Sequence, residues 1–369
     1  MKFRLKKLSE QVVVITGATS GIGLTTARRA AQRGAKLVLV ARNEDALKQL
    51  NYELSKKGCD VLHVVADVGI EEDVKRVANA AVERFGSIDT WVNNAGISIF
   101  GRNEDISLED QRKLFQTNFW GVVYGSLAAV EHMKERGGAI INLGSEVSDR
   151  AVPLQGMYSA SKHAVKGFTD SLRLELEADN APISVTLIKP AAIDTMFVEH
   201  AKNYMNVEPK LPPPIYAPEI AADAILYAAE NPKRDIFVGG AAKFVSATAH
   251  YAPGLMDSVM KRFMFKQQQT SMPARDKSQN SLYNPGSDLQ QRQGHPGHVF
   301  ESSLYTKASY HPKTVATLLT AGLVLAAWWR LRDASRTRAD EHQAYLPEDG
   351  RQELHQDTPY AAYAPAASH

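Results

Sequence analysis

The run Val12-Val13-Val14-Ile15-Thr16-Gly17-Ala18-Thr19-Ser20-Gly21-Ile22-Gly23 limits the folds open to this chain more than any other stretch. Five β-branched residues in succession favour an extended strand buried on both faces. The glycines that follow permit positive φ or leave out a Cβ, so a backbone turn can come close to a phosphate. Helix-forming sequence from about residue 22 to 33 then presents free N–H groups and the positive end of its dipole to that charge. Strand, glycine turn and helix in this order are the setting in which such a turn binds a dinucleotide.

Length and charge narrow the class. A chain of 369 residues, 44% of them hydrophobic, can bury one large core and keep length for a tail. Its 43 basic and 41 acidic residues are interspersed, so no nucleic-acid partner is expected and small-molecule chemistry is favoured. Cys59 is the only cysteine, which excludes an intrachain disulfide, fits a reducing compartment and reads as a small buried thiol. Lys2, Arg4, Lys6 and Lys7 look like the start of a signal peptide, but the apolar run 12–15 is too short for its core. A cytoplasmic location is therefore expected for the N-terminal domain, with no metal site.

Between residues 12 and about 240, β-branched runs alternate with amphipathic stretches, the pattern of a parallel sheet covered by helices on both faces. Seven strands are predicted, at 12–16, 36–41, 61–66, 90–93, 139–143, 183–188 and 236–238, with helices near 22–33, 44–57, 71–85, 108–135, 157–179 and 218–231. Ser107 and Asp110 form a capping signal ahead of the fourth helix. Phe244, Tyr251, Leu255, Met256, Phe263 and Phe265 are expected to complete a catalytic domain over 1–265. From 266 to 312 the chain turns to Gln, Ser, Asn, Pro and Gly, and a disordered linker is predicted. An apolar segment at 313–330 and a flexible polar tail at 331–369 follow.

Three signals fall at the carboxyl ends of neighbouring strands, where a doubly wound sheet binds its ligand. They are the glycine turn, Asp67-Val68 after the third strand, and Asn93-Asn94-Ala95-Gly96 after the fourth. Asp67 can accept a hydrogen bond from an adenine amino group. A fourth constellation is Ser145, Tyr158 and Lys162, with Asn118 upstream. A phenol is a poor acid or base at neutral pH because its ordinary pKa is about 10. Lys162 shares a helix face with Tyr158, so its ammonium can stabilise the phenolate, and Ser145 can donate to a substrate oxygen. His163 reads as an ordinary helix residue.

These four residues resemble the catalytic tetrad of the short-chain dehydrogenase/reductases. Thr16-Gly17-(three residues)-Gly21-Ile22-Gly23, Asn93-Asn94-Ala95-Gly96, Tyr158-Ser159-Ala160-Ser161-Lys162 and Pro190 occur in that family's order, over residues 10 to about 240. The resemblance implies a Rossmann-type doubly wound α/β fold and hydride transfer between NADP(H) and a secondary alcohol, ketone or aldehyde. It implies catalytic roles for Asn118, Ser145, Tyr158 and Lys162, Asn118 binding a water that links Lys162 to solvent. It implies cofactor contacts at Gly17, Thr19, Ser20, Gly21, Ile22, Gly23, Asp67, Val68, Asn94, Ala95, Gly96, Tyr158, Lys162, Pro190, Ile193 and Thr195. NAD-selective members usually carry an acid at the end of the second strand. Here Ala41 removes that repulsion and Arg42 offers a guanidinium to a 2′-phosphate, which favours NADP(H). Two positions depart from the pattern: Ser20 replaces a basic residue found in some NADP-selective members, and Ala191 replaces the usual glycine after Pro190.

The substrate pocket is expected from Ile97, Ile99, Phe100, Val152, Pro153, Leu154, Met157, Met196, Phe197, Tyr204 and Met205, whose mostly apolar character points to a lipophilic substrate. The alternative from another class is a non-catalytic NADP(H)-binding sensor or membrane-tethered scaffold that keeps the tetrad by descent. Helices 108–135 and 157–179 resemble those that pair subunits in the family and imply a homodimer or homotetramer. The uncharged run 314–329 would reach about 24 Å as a helix, short of the roughly 30 Å hydrocarbon core. It is expected to be a membrane-associating helix lying in the interface, with docking onto protein as the other reading.

Overall fold

Seven parallel strands form one sheet: β1 (Val12–Thr16), β2 (Lys36–Ala41), β3 (Val61–Val65), β4 (Thr90–Asn93), β5 (Gly138–Leu143), β6 (Ile183–Pro190) and β7 (Asp235–Val238). The computed structural model describes residues 3–276, 278, 280–286, 289–311, 315, 317, 320, 321, 324–330 and 332. Across the sheet the strands run β7-β6-β5-β4-β1-β2-β3. β1 lies between β2 and β4, with Val14 opposite Val38 on one side and Trp91 on the other. Strand order reverses at β1 and β4, so the carboxyl ends of these two strands open a crevice, the switch point of a doubly wound sheet.

Six longer helices and one shorter one are placed by this sheet: α1 (Gly21–Gln32), α2 (Glu44–Lys56), α3 (Glu71–Phe85), α4 (Leu108–Phe115), α5 (Gly121–Met133), α6 (Gly156–Ala178) and α7 (Pro218–Glu230). Val13 and Ile15 pack with Leu24 of α1, Leu47 of α2 and Ala221 of α7. Val12 and Val14 pack in a second core with Val74 of α3, Ala129 of α5 and Leu172 of α6. Alternate residues of β1 thus face two apolar layers, which is why the strand reads as an unbroken apolar run. Asn43 and Ser107 cap α2 and α4, accepting from the N–H groups of Ala46 at 3.1 Å and Asp110 at 3.2 Å.

The helix predicted over 108–135 is interrupted. Between α4 and α5 the chain makes a π turn, Gln116–Trp120. Apolar periodicity does not reveal it, since one extra residue in a turn leaves the composition helical.

The stretch predicted as a disordered linker is ordered against the sheet domain wherever it is described. After α8 (Gly240–Tyr251) and α9 (Pro253–Val259), Gln269–Pro273 pairs antiparallel with Val207–Pro209. Val299–Phe300 pairs parallel with Ile215–Tyr216, and α10 (Leu304–Tyr310) packs near β7. Composition misled here because main-chain bonds to the body do the anchoring, helped by buried side chains such as Leu282 and Thr306, each 0% exposed. The first domain therefore extends to Tyr310 rather than residue 265.

The described residues beyond His311 form a separate unit. Residues 315, 317, 320, 321, 324–330 and 332 are helical, and the rest of 312–369 lies outside the described residues. Among the described residues no helix is long and apolar enough to cross a membrane. Much of the run 314–329 expected to associate with membranes is outside them.

Gly23 gives a direct test of the packing at the switch point. A Cβ there would lie 2.0 Å from the Gly17 carbonyl oxygen and 2.6 Å from Asn94 Nδ2, whereas one on Gly167, exposed on α6, would meet nothing within 4 Å. Gly23→Ala is expected to destabilise the fold by about 1–3 kcal/mol. Gly167→Ala is expected to stabilise it by about 0.5–1 kcal/mol. Denaturant titration of the two variants checks the contrast.

Candidate active site

The glycine turn and the loop after β4 are fastened together. Gly17 and Gly21 have φ of 65° and 51°, conformations that cost glycine nothing. Asn94 Nδ2 donates to the carbonyls of Thr16 at 2.8 Å and Gly17 at 3.2 Å. Thr16 Oγ1 in return accepts from the N–H groups of Asn94 at 3.0 Å and Ala95 at 3.1 Å. Thr19, Ser20, Val68, Ala95 and Gly96 line the groove beside this clasp.

Ser145 follows β5 and opens a short 3-10 turn, its Oγ accepting from Val147 N–H at 3.3 Å. Tyr158 and Lys162 stand one turn apart on α6. Lys162 is 5% exposed, and its Nζ donates to the Leu143 carbonyl at 2.7 Å while lying 5.8 Å from the centre of the Tyr158 ring. Burial draws the Lys162 ammonium down to about 8. Burial also holds the Tyr158 phenol above its ordinary value, the Ser145 hydroxyl bonded to it pulls the other way, and the charge of Glu146 raises it further.

Asn118 sits inside the π turn and is fully buried. Its Nδ2 donates to Ile97 O at 2.8 Å and Ser161 Oγ at 3.2 Å, and its Oδ1 accepts from Ile97 N–H at 2.9 Å. The side chain therefore braces the loop carrying Gly96 against α6, both amide hydrogens being committed to protein.

At the far end of the groove, Asp67 and Arg42 face each other. Burial would raise the Asp67 carboxyl, but Lys113, at 2.9 Å, and the Gly69 N–H hold it below the usual carboxylate range, with Arg42 adding to the effect. Lys113 could not be paired with Asp67 from sequence, because nothing local joins them. Arg42 lines the groove as expected, yet its guanidinium is held by the C-terminal extension. Nη2 donates to the carbonyls of Ser281 at 2.6 Å and Asn284 at 3.3 Å, and Nη1 to those of Tyr283 at 3.1 Å and Leu282 at 3.4 Å.

Ile22, Pro190, Ile193 and Thr195 meet Ser145, Tyr158 and Lys162 around one cavity. Its apolar wall differs from the expected one. Val152 and Phe197 are there, but Ile99, Phe100, Leu154, Met196 and Met205 are buried elsewhere, Ile97 faces the groove near Asp67, and Val245, Met260 and Met264 take their place. The helices after Gly240 cover the cavity, and their apolar pattern carries no mark of what they cover. Glu146 also lines it, and sequence reasoning passed over this residue. An acid directly after the serine was the available signal.

Residues 11–205 match the family described as short chain dehydrogenase. The chain belongs to this family of oxidoreductases. An uncharacterized oxidoreductase of Bacillus subtilis, YxnA, is 48% identical over 330 residues, 89% of this chain and 92% of its own. A Burkholderia phymatum short chain dehydrogenase/reductase solved with NAD is 25% identical, with a TM-score of 0.60 over 74% of this chain and 100% of its own. An alcohol dehydrogenase from Thermococcus sibiricus solved with 5-hydroxy-NADP is 29% identical, with a TM-score of 0.55 over 62% of this chain and 95% of its own.

Glu146 makes stability depend on pH in a predictable direction. Its half-buried side chain makes no hydrogen bond or ion pair among the described residues, and burial pushes the carboxyl up to about 7. From its ordinary value of 4.5 up to about 7, the folded chain keeps a proton that the unfolded chain has lost, so stability falls as pH rises through that window. Thermal melts from pH 4 to 8 are expected to show a shallower decline for Glu146→Gln than for the parent.

Proposed function

We propose that this chain is an NADP(H)-dependent oxidoreductase that interconverts a secondary alcohol and a ketone, or reduces an aldehyde, on a lipophilic substrate. The observation that carries this reading is the convergence of Ser145, Tyr158 and the buried Lys162 at one side of a mainly apolar cavity beside the glycine turn. The glycine cradle, with its positive-φ turn at the start of α1, fits a dinucleotide pyrophosphate. A bound nicotinamide supplies or accepts the hydride. In reduction, Ser145 Oγ holds the carbonyl oxygen and Tyr158 gives it a proton. Lys162, protonated below about 8, stabilises the phenolate left behind.

Ala41 sets no carboxylate against a 2′-phosphate, and Arg42 places a cation near it, which supports NADP(H). NADPH is expected to bind at least tenfold more tightly than NADH, since a hydrogen bond to a charged group contributes about 1.5–3 kcal/mol. Fluorescence titration with both cofactors checks this, and equal affinities would remove the NADP(H) assignment. Tyr158→Phe is expected to lower turnover of lipophilic ketones by about 10²–10⁴-fold with cofactor affinity unchanged. Parental turnover in that variant would sink the catalytic assignment. In the parent, carbonyl reduction should slow as pH rises through about 8, where Lys162 loses its proton. A homodimer through α5 and α6 goes with this reading, supported by the exposed Leu127 and Leu174 on those helices and Trp120 just before α5.

A further inference from the structure

The described residues of the C-terminal extension meet the dinucleotide groove and its surroundings at several points. At its near end the extension holds Arg42 through the carbonyls of residues 281–284, by four hydrogen bonds from the two terminal guanidinium nitrogens. Leu282 is buried there against Ile97, Ile99, Ile106 and Leu114, and Tyr283 Oη donates to Asp110 Oδ1 at 2.8 Å. In the middle it bonds to the glycine turn itself. Leu289 N–H donates to Thr19 O at 2.7 Å, and Gly21 N–H donates to Gln290 O at 2.9 Å. At the far end His295 N–H donates to Asp194 Oδ1 at 3.2 Å, and Arg292 pairs with Glu219 at 2.7 Å. Ser281 N–H also reaches His200 O at 2.8 Å.

A groove remains beneath these contacts. Gly17, Ser20 and Asp67 line it together with Ser281, Pro285 and Gly286 of the extension. Two residues of its lining, Thr117 and Ser281, carry buried hydroxyls that have no hydrogen-bond partner among the described residues. Buried polar atoms are almost always paired, so two orphans in one groove mark a place where a polar ligand belongs. The family match ends at residue 205, so the extension lies outside the matched stretch.

We infer that residues 281–286 and 289–293 are the outer wall of the cofactor site, enclosing a bound dinucleotide against the glycine turn so that it leaves only when the wall unlatches. This rests on the dinucleotide reading above, and it makes Arg42 a tether of the wall as well as a neighbour of the cofactor. The wall contacts the turn through one carbonyl and one N–H, and leaves the groove between itself and Asp67 open, which is the arrangement of a cover rather than a plug.

The test uses the full chain, with NADPH and NADH release followed by stopped-flow displacement and nicotinamide fluorescence. Leu282→Asp places a charge in the apolar latch. Where that variant fails to fold, Tyr283→Ala combined with Arg292→Ala removes two surface latches instead. Hydrogen exchange of the peptide carrying Leu289 and Gln290 reports whether the wall has come loose. The expected result is faster exchange there and at least tenfold faster release of whichever dinucleotide binds. Unchanged release with raised exchange overturns the inference, as does tighter binding by the loosened chain, which would make the segment a plug. Unchanged exchange in every folded variant overturns it too, because the named contacts would not be the latches. If neither dinucleotide binds the parent chain, the proposed function fails, whereas binding with unaffected release removes the wall alone.

Discussion

The arrangement at the switch point of the sheet depends on how closely α1 can approach the ends of β1 and β4. That approach is set by the amide of Asn94, which bonds to two successive carbonyls at the end of β1, and by the missing side chain at Gly23. The carbonyls of Thr16 and Gly17 would otherwise need water at the point where the chain turns out of the sheet. Satisfying them from the neighbouring strand makes the turn rigid before any ligand arrives. The cradle is thus prepared by the body of the protein, and the ordering cost is met in folding rather than in binding.

The tetrad shows a second use of the same economy. Lys162 is buried with a main-chain carbonyl as its hydrogen-bond partner, and burial brings its proton affinity close to the physiological range. Asn118, two amide hydrogens committed, holds the Gly96 loop at the lysine rather than standing free as a ligand. The site is therefore assembled from braces whose own polar groups are satisfied, leaving the Tyr158 and Ser145 hydroxyls at the apolar cavity. Glu146 is the exception, an acid without a partner among the described residues, beside the phenol whose proton it helps retain.

What could be read in advance was local. The β1 run, the glycine turn, the Ser107 cap and the one-turn spacing of Tyr158 and Lys162 are each fixed by residues a few positions apart, and the seven-strand order follows from how such units connect. What could not be read was long-range. Lys113 meets Asp67 across 46 positions, and Arg42 meets the extension across about 240. The stretch beyond Lys266 has few branched apolar residues, a composition that predicts a linker. It is held through its main chain, which no composition reports. The cavity wall is illegible in sequence for a related reason: Val245, Met260 and Met264 have the apolar character of any packed helix, and only the tertiary fold brings them to the cavity that Tyr158 lines.

The π turn at Gln116–Trp120 has a wider effect than placing Asn118. One added residue rotates everything downstream by about 100° relative to everything upstream. Leu114, before it, packs with Ile97, Ile99 and Leu282, whereas Ala128, Ala129 and Met133, after it, pack on the sheet. A continuous rod would have to present one stripe to both neighbours. The phase slip lets a single stretch of helical sequence serve two environments, so substitutions that reshape the ligand end need not disturb the sheet. Loss of one residue between 116 and 120 would bring the two halves back into phase, turning one set of apolar side chains toward solvent while leaving the sequence a good helix by every local measure.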